Sequence, residues 1–505
     1  MSINRLNMTK TVLFCVSLVT AVGCRNTEVD VDVMPGRYPN LLTGSETTLD
    51  VALIAPPGTT VSTHDVARAK SVHVVASTTF AQGAPVVSAD GVPRLRDVNG
   101  DGQLDLIASF SVAELRAAGI IGRGTTRLAV RASVADGAYC EGWDRLFDVG
   151  SLVLQLPPVS GPDPVGTTNL LVFDGSRPGL TAAGRGLVVR LWYPAASASE
   201  QPTSYFLDQR EAVANLPSGL PVTLPSTLYD GVHAWSQRDV QPKGAGKHPA
   251  LLLSTGYGVP LTFYSGLAED LAGHGYVVVG VEHPDGSGVV VYPDGRQSTL
   301  DPTVPPTDAT VHGWARDLEF VLARLSAASF RQGLEPAARE AVSLIDIGRV
   351  GALGHSLGGA AAIWADAESP VIRASANLDG ALWGDVLTAG PNTPTMLMLA
   401  QGHFGNDPTL DQFLAHAKSR VYRVEVAGAQ HDNFSDLGTL ADGLVALVPG
   451  FDRAMLGLGS IESARALTIQ SAYLRAFFHT VLQGGTSDLL QGPSPDFPEV
   501  TLTRQ

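Results

Sequence analysis

The chain has 505 residues, of which 44% are hydrophobic and 16% charged, and its formal net charge is −15. This length predicts two or three domains, and the apolar fraction excludes a disordered chain because it supplies enough side chains for sizeable cores. The acidic balance argues against nucleic acid as a partner, since phosphate binding needs basic patches.

The first residues predict an export signal. Arg5 and Lys10 give a positive start, and residues 11–23 form an apolar stretch shorter than a bilayer span. The sequence AVGC, ending at Cys24, resembles a bacterial lipobox in which Cys24 would carry lipid. We therefore expect an exported protein, either a cell-envelope lipoprotein or a secreted one, whose only membrane contact is that anchor. The alternatives to lipidation are cleavage nearby without lipid and a retained anchor.

Cysteine usage depends on the same residue. The chain has three cysteines, Cys15, Cys24 and Cys140, and Cys15 lies in the segment that export would remove. If Cys24 carries lipid, Cys140 has no partner within the chain. If it does not, a Cys24–Cys140 disulfide becomes the alternative.

Residues 27–156 contain short β-like runs such as SVHVVAS, LDLIASFSV and TRLAVRASV, separated by Gly, Asp and Pro. Short strands at regular spacing predict an all-β, sandwich-like domain. Residues 157–169, PPVSGPDPVGTTN, predict a linker because they are rich in Pro, Gly, Ser and Thr.

One loop of this domain, DVNGDGQLD over 97–105, carries oxygen-bearing side chains at alternate positions. Calcium takes about six to eight oxygen ligands, so the spacing predicts a structural Ca²⁺ site. Ala108 stands where an EF-hand has its bidentate Glu, so the loop instead resembles the Asp-rich loops of bacterial extracellular β domains. The alternative is a polar turn without metal. The predicted ligands are Asp97, Asn99, Asp101, Gln103 (through its carbonyl) and Asp105.

Between residues 170 and 483 the pattern changes. Buried-strand runs such as ALLLST and YVVVGVE alternate with helical segments such as VHGWARDLEFVLARLSAA. This alternation predicts an α/β fold with a mostly parallel sheet covered on both faces. Residues 484–505 are rich in Gly, Ser and Pro and predict a flexible tail.

The pentapeptide GHSLG, residues 354–358, matches the G-x-S-x-G pattern of a nucleophile elbow. RVGAL before it predicts a strand, and LGGAAAIWADA after the serine predicts a helix of small residues. In such an elbow the serine occupies a strained strand-to-helix turn where glycines relieve crowding. Ser356 is therefore the predicted nucleophile, and a Gly-Ser turn without chemistry is the alternative.

A serine hydroxyl needs a base, and the base needs an orienting carboxylate. In α/β-hydrolases the acid and then the histidine follow the serine along the chain. Asp379 ends an apolar, strand-like run, so its carboxylate is expected at the sheet edge that carries the elbow. Asp366 falls within the helix after the serine and would point away, and Asp385 is a weaker competitor.

Four histidines follow this acid. His416 and His479 fall within helical patterns and are interpreted as surface or packing residues. His403 follows one predicted strand and His431 follows the next. Because the catalytic histidine usually follows the last strand of the sheet, His431 is the predicted base and His403 the alternative.

An oxyanion hole needs backbone N–H groups that point at the developing negative charge. Leu357, directly after the nucleophile, is the first predicted donor. Tyr257 is the second, because it lies in the glycine-rich loop TGYG that follows the strand ALLLST. The alternative for that loop is a turn without a catalytic role.

The region 170–483 resembles the platelet-activating-factor acetylhydrolase group, with a looser likeness to cutinase-type polyester hydrolases. The likeness rests on VRLWYPA, HPALLLSTGYG, GHSLGG, NLDG and GAQHDNFSD. It implies an α/β-hydrolase fold in which Ser356 is the nucleophile, His431 the base and Asp379 its partner, with Tyr257 and Leu357 as oxyanion donors. The chain departs from the group in having Thr-Gly where His-Gly is frequent, and in its amino-terminal β domain.

The predicted reaction is hydrolysis of a small-molecule or polymeric carboxylic ester through an acyl-enzyme, without a cofactor. A serine peptidase or amidase on the same fold, and a non-catalytic cell-surface binding protein, are the alternatives. Aromatic residues near the predicted cleft would suit an apolar or aromatic acyl group unless they belong to the core. They are Tyr257, Phe263, Tyr264, Trp314 and Trp383.

Overall fold

The computed structural model divides the chain into two units, Met1–Val149 and Gly150–Gln505. The predicted signal segment, including Cys24, lies outside the residues that the structure describes. None of the helices in the described part combines the length and the apolar character that crossing a membrane requires. The described residues are 27–28, 30–34, 41–42, 46–54, 69–75, 87–91, 93–122, 127–134, 139–148, 154–197, 203–215, 228–244, 246–284, 286–300, 303, 305–447 and 452–505.

In its described residues, the first unit is built from short strands and one short helix. Its five-stranded sheet has the order β1-β10-β9-β5-β6, and its four-stranded sheet has the order β2-β4-β8-β7. The elements are β1 Thr27–Glu28, β2 Asp30–Val33, β3 Leu41–Leu42, β4 Thr48–Ile54, β5 Ala69–Val75, β6 Val87–Ser88, β7 Arg94–Arg96, β8 Asp105–Ser111, α1 Val112–Ala117, β9 Arg127–Val134, β10 Tyr139–Arg145 and β11 Phe147–Asp148.

The five-stranded and the four-stranded sheets share one hydrophobic core. Val51 and Phe110 from the four-stranded sheet and Val74 and Val130 from the five-stranded sheet are all fully buried in it. Alternate residues of each strand face this core, as the period of two in a pleated strand requires. The unit is therefore the all-β, sandwich-like domain that the sequence predicts.

Cys140 lies on β10 of the first unit, is buried, and is disulfide-bonded. The chain's other two cysteines, Cys15 and Cys24, lie outside the described residues. A bond to Cys24 would exclude the lipid predicted for that residue, because one sulfur cannot carry both bonds.

The second unit contains a ten-stranded sheet with the order β17-β13-β14-β19-β18-β22-β23-β24-β25-β26. Its central strands, from β19 to β25, are parallel. The strands are β12 Leu154–Gln155, β13 Val165–Asp174, β14 Arg185–Pro194, β15 Thr203–Ser204, β16 Val232–Ala234, β17 Gln237–Arg238, β18 His248–Ser254, β19 Val277–Val281, β20 Val289–Val291, β21 Gln297–Thr299, β22 Ile345–His355, β23 Ile372–Leu378, β24 Thr395–Ala400, β25 Val421–Val426 and β26 Val500–Arg504.

Helices contribute to two separate cores of this unit. One core includes residues of α4, α6, α7 and α9, and the other includes residues of α3 and α11. The central strands read as continuous apolar runs because both of their faces are covered. The helices are α2 Gln209–Ala214, α3 Ser265–Gly273, α4 Asp308–Ser326, α5 Ala328–Gln332, α6 Pro336–Ser343, α7 Leu357–Glu368, α8 Val386–Ala389, α9 Pro408–Ala415, α10 Leu437–Leu447 and α11 Ser463–Gln483.

The structure corrects two boundaries. The linker predicted at 157–169 already contains the start of β13, since Val165 pairs with Pro194 of β14. The tail predicted as flexible at 484–505 ends in β26, which pairs antiparallel with β25. Ladder hydrogen bonds to distant strands order both segments, and their turn-rich composition does not reveal those partners. The remaining architecture is the predicted α/β-hydrolase fold preceded by a β domain.

Candidate active site

The candidate site residues lie at one edge of the large sheet. Strands β18, β22, β23, β24 and β25 are parallel neighbours, so the loops that follow them meet at the same edge. Those loops carry Tyr257, Ser356, Asp379, His403 and His431 in turn. Residues more than a hundred positions apart in the chain are brought together in this way.

Ser356 has a backbone φ of 55° and ψ of −126°, which is a strained conformation for a residue with a side chain. Its N–H donates a hydrogen bond of 2.8 Å to the carbonyl of Leu378, which helps to hold the turn. A Cβ on Gly358 would overlap the carbonyl oxygen of Thr255, and one on Gly354 would overlap that of Gly358. Only glycine fits at these two positions, as the elbow pattern predicts.

Ser356, His431 and Asp379 form a chain of hydrogen bonds. The Nε2 of His431 is 2.9 Å from the Oγ of Ser356, and its Nδ1 is 2.8 Å from the Oδ2 of Asp379. Because a carboxylate only accepts, Nδ1 carries the proton and Nε2 is left to accept from the serine hydroxyl. This is the arrangement through which a serine hydrolase activates its nucleophile.

The electrostatics of the group suit this tautomer. Asp379 is 3% exposed, and burial alone would raise its pKa, but hydrogen bonds from His403, His431 and the N–H of Ala400 outweigh burial and lower it. Burial acts to lower the pKa of His431, and its hydrogen bond to Asp379 reverses that effect and raises it. Asp379 is thus a carboxylate that favours a positive charge on His431.

The two predicted oxyanion donors lie on segments that follow β22 and β18, which are neighbouring strands of the sheet. Leu357 is the first residue of α7, where backbone N–H groups have no partner within the helix. Tyr257 lies in the loop after β18, and its ring stacks on that of Trp314 with centroids 6.3 Å apart. Their role as oxyanion donors stays a prediction.

A second serine–histidine–aspartate chain lies under the Tyr257 loop. The Oγ of Ser254 is 2.8 Å from the Nε2 of His283, whose Nδ1 is 2.8 Å from the Oδ2 of Asp317. All three side chains are fully buried, and Asp317 also pairs with Arg185 at 2.8 Å, so no substrate can reach them. This group fixes the end of β18, immediately before the loop.

Tyr264 and His355 connect three loops of the candidate site. The N–H of Gly256 donates to the Tyr264 hydroxyl at 2.8 Å, and the hydroxyl donates to the Nδ1 of His355 at 2.9 Å. The Nε2–H of His355 then donates to the carbonyl of His431 at 3.0 Å. Burial lowers the pKa of His355 to about 3, so the ring is neutral. A neutral ring has one acceptor nitrogen and one donor nitrogen, which is what its hydrogen bonds with Tyr264 and His431 require.

His403, the alternative base, also contacts the predicted acid. Its Nδ1 is 2.7 Å from the Oδ1 of Asp379, on the side away from the oxygen that binds His431. Its Nε2 is 3.3 Å from the Oδ2 of Asp407. His403 is therefore a neighbour of Asp379 rather than of Ser356. Its position after a strand signalled that it lies at this edge but not which way its ring faces.

Two competing residues lie elsewhere. Asp366 is buried in α7, and its Oδ2 accepts hydrogen bonds from Ser375 and Thr393. Asp385 precedes α8 at its N-terminus. Neither takes the place of Asp379 beside His431.

The aromatic residues divide into two groups. Phe263, Tyr264 and Trp314 are buried core residues with at most 6% exposure. Tyr257 and Trp383 are half-buried and pack at the margin of the core. Only these two remain as candidates for contact with an acyl group. The hydroxyl of Tyr264 instead has the loop-connecting role that the sequence did not predict.

Carboxylates of the loop 97–105 accept hydrogen bonds from backbone N–H groups of the same loop. Asp97 accepts hydrogen bonds from the N–H groups of Gly100 and Gly102, and Asp101 accepts one from that of Gln103. Asp105 is fully buried and accepts from the N–H of Val98. Within the described residues, no group of three or more His, Cys, Asp and Glu side chains is gathered as a metal site. Calcium at this loop stays a prediction.

Comparison with known proteins shows what the chain is similar to. A family model described as "Platelet-activating factor acetylhydrolase, isoform II" matches residues 150–303. The solved structure of a ferulic acid esterase from Streptomyces cinnamoneus aligns with a TM-score of 0.60 and 29% identity, over 70% of this chain and 100% of its own.

Two curated relatives carry related descriptions. A protein of Arthroderma benhamiae described as a "probable 1-alkyl-2-acetylglycerophosphocholine esterase" is 28% identical over 270 residues, which is 50% of this chain and 66% of the relative. The platelet-activating factor acetylhydrolase of Canis lupus familiaris is 25% identical over 252 residues, 45% of this chain and 55% of the relative. The chain thus spans between about half and two thirds of these relatives.

Fold, site geometry and relatives together define the class of this protein. The chain has the α/β-hydrolase fold, and in sequence and fold it is similar to carboxylic ester hydrolases. Among such enzymes its similarity is to the platelet-activating factor acetylhydrolases.

Proposed function

We propose that this protein hydrolyses carboxylic esters with Ser356 as nucleophile, His431 as general base and Asp379 as its orienting carboxylate. The observation that carries the proposal is the hydrogen-bonded chain from the Oγ of Ser356 through His431 to Asp379, with distances of 2.9 and 2.8 Å. The strained backbone of Ser356 supports it, because strain of this kind persists where function requires it.

The reaction follows from these positions. His431 takes the hydroxyl proton as Ser356 attacks the ester carbonyl, and the N–H groups of Tyr257 and Leu357 stabilise the resulting oxyanion. The tetrahedral intermediate collapses, and the alcohol leaves with the proton from His431. Water, deprotonated by His431, then attacks the acyl-enzyme and releases the acid and the free serine. The steps use side chains, backbone N–H groups and water, and none of them requires a cofactor.

We further propose that the substrate is a short-chain or apolar ester, from a small molecule, a lipid or a polyester. The relatives are described as acting on an acetylated glycerophosphocholine and on ferulic acid esters, which have small or aromatic acyl groups. The half-buried rings of Tyr257 and Trp383, on loops after β18 and β23, support an apolar acyl contact.

The test is hydrolysis of p-nitrophenyl esters of increasing acyl length, together with methyl ferulate, by the wild type and by Ser356→Ala. We expect kcat of the variant to fall by about 10³-fold or more, because removal of the nucleophile leaves only binding and the oxyanion hole. Ser343→Ala is the matched control, since its hydroxyl only bonds the carbonyl of Glu340 near the end of α6.

A fluorophosphonate probe keeps the mechanism and the substrate separate. Stoichiometric labelling of Ser356 without turnover of any ester would leave the nucleophile in place and favour the amidase or peptidase alternative. Equal ester turnover by wild type and Ser356→Ala would overturn the proposed mechanism. Absence of both labelling and turnover would favour a non-catalytic binding protein.

A further inference from the structure

His403 lies between two carboxylates at the edge of the large sheet. It begins the short 3₁₀ turn His403–Gly405 after β24, and the turn brings both ring nitrogens against acceptors. The Nδ1 is 2.7 Å from the Oδ1 of Asp379, and the Nε2 is 3.3 Å from the Oδ2 of Asp407. No step of the proposed ester hydrolysis uses this histidine.

The partners determine the protonation of the ring. A neutral imidazole has one N–H and one acceptor nitrogen, whereas carboxylates can only accept. Two carboxylate partners are therefore both satisfied only when His403 is an imidazolium that donates from each nitrogen. Its hydrogen bond to Asp379, assisted by the nearby Asp407, raises the pKa of His403 accordingly.

Asp407 is itself held in place. It precedes α9, and its Oδ1 accepts from the N–H and the hydroxyl of Thr409 at 2.9 and 2.7 Å. The other carboxylate, Asp379, accepts from the N–H of Ala400 at 2.7 Å through the oxygen that faces His403. Both ends of this contact are thus fixed by backbone groups.

The charges around the two histidines can be named. Asp379 and Asp407 raise the pKa of His403. The side chain of Arg423, on β25, lies over the ring of Phe404, the residue after His403. Asp379 and Asp432 favour a proton on His431, whereas the positive charge of His403 opposes it. His355, which also contacts the His431 loop, is neutral.

We propose that His403 is a positively charged positioning residue. It orients Asp379 from the side opposite His431, and it keeps His431 deprotonated to a lower pH than Asp379 alone would allow. The proposal rests on the proposed function, because it concerns the base of that same site. The chain Ser356–His431–Asp379 is thereby extended by His403 and Asp407.

The sign of the effect follows from charge. A positive His403 repels a second positive charge on His431, so removing it raises the pKa of His431. More enzyme then has a protonated, inactive base at any given acidic pH. The acidic limb of the kcat/KM profile should move to higher pH, which a purely structural loss would not produce.

The variant that tests this is His403→Asn in the full chain. The amide nitrogen of asparagine can replace Nδ1 as a donor to Asp379, but it carries no charge. With a p-nitrophenyl ester as substrate, we expect the acidic limb of the kcat/KM profile to shift to higher pH. The maximum value of kcat/KM should fall less than it does in His403→Ala. His416→Asn is the matched control. This histidine follows α9, the helix that Asp407 precedes, and its Nδ1 lies within hydrogen-bond distance of the backbone carbonyl of Gln412.

A second readout does not depend on activity. In protein labelled with ¹⁵N-histidine, NMR titration should show His403 doubly protonated at neutral pH and the midpoint of His431 raised in His403→Asn. A neutral His403 at pH 7, or an unchanged midpoint for His431, would overturn this proposal. Absence of ester turnover alongside the expected titration would instead count against the proposed function alone.

Discussion

At the residue scale, the Tyr264 hydroxyl links parts of the site that are remote in sequence. It accepts a hydrogen bond from the N–H of Gly256, which precedes the predicted oxyanion donor Tyr257. It donates one to His355, which precedes the proposed nucleophile Ser356. Gly256 must be glycine, because a Cβ there would lie 2.8 Å from the Nδ1 of His355 and 3.0 Å from the hydroxyl. One buried phenol therefore fixes the oxyanion loop against the elbow.

We expect Tyr264→Phe to lower kcat on the order of tenfold, with little change in KM. Loss of the hydroxyl leaves a buried N–H and a ring nitrogen unpaired, which costs about 1–3 kcal/mol and loosens the oxyanion loop. Steady-state kinetics and thermal unfolding measure the two effects.

Tyr193→Phe provides the comparison for that variant. Its hydroxyl is also buried and donates to the carbonyl of Val240 at 2.7 Å, outside the three loops that Tyr264 and His355 connect. We expect similar destabilisation with kcat unchanged. If both variants lose kcat equally, the Tyr264 contact has only a general structural role.

At the element scale, the loop between β7 and β8 remains the candidate calcium site. Asp97, Asn99, Asp101 and Asp105 place oxygens close together, and the structure pairs several of them with backbone N–H groups of the same loop. Those hydrogen bonds lower the pKa of Asp101, so it is available as an anionic ligand. The site would stabilise the β domain and would take no part in ester chemistry.

We expect Ca²⁺ to raise the unfolding temperature of the first unit and EDTA to lower it. A ligand at a hundred times its Kd adds about 2.7 kcal/mol to the stability of the state that binds it. Calorimetry of the full chain measures this, with Asp101→Asn weakening the response. Asp294→Asn is the control, because Asp294 pairs with Arg296 in the second unit. If neither calcium nor EDTA changes the unfolding temperature, the loop is a polar turn without metal.

At the scale of the whole molecule, the disulfide at Cys140 competes with the predicted lipid. Cys140 is disulfide-bonded, and the only other cysteines of the chain are Cys15 and Cys24. The predicted export would remove Cys15 with the leader, so Cys24 is the expected partner. A disulfide also fits an exported protein, because disulfides persist in oxidising compartments.

We therefore expect the exported protein to carry a Cys24–Cys140 bridge and no lipid on Cys24. Mass spectrometry of non-reduced peptides should find the two cysteine peptides joined, with reduction separating them. Cys140→Ser is the informative variant, because it frees Cys24 for other chemistry. Acylated Cys24 in the wild type would contradict the bridge and restore the lipoprotein prediction.

The sequence by itself determined the features that depend on neighbouring residues. Alternation of apolar runs and helical segments predicted the α/β unit, and short punctuated strands predicted the β domain. GHSLG identified the elbow, because the strain at Ser356 and the close approach of Gly354 to Gly358 arise within the pentapeptide itself. The order of acid and histidine after the serine then limited the candidates to a few residues.

Only the tertiary structure decided how those candidates face one another. His403 and His431 both follow strands of the sheet, yet His431 contacts Ser356 while His403 lies behind Asp379. The contacts of Tyr264 with Gly256 and His355, and the pairing of β26 with β25, likewise join distant segments. Ring orientation and strand pairing depend on packing between residues far apart in the chain, and local composition and spacing carry no signal of that packing.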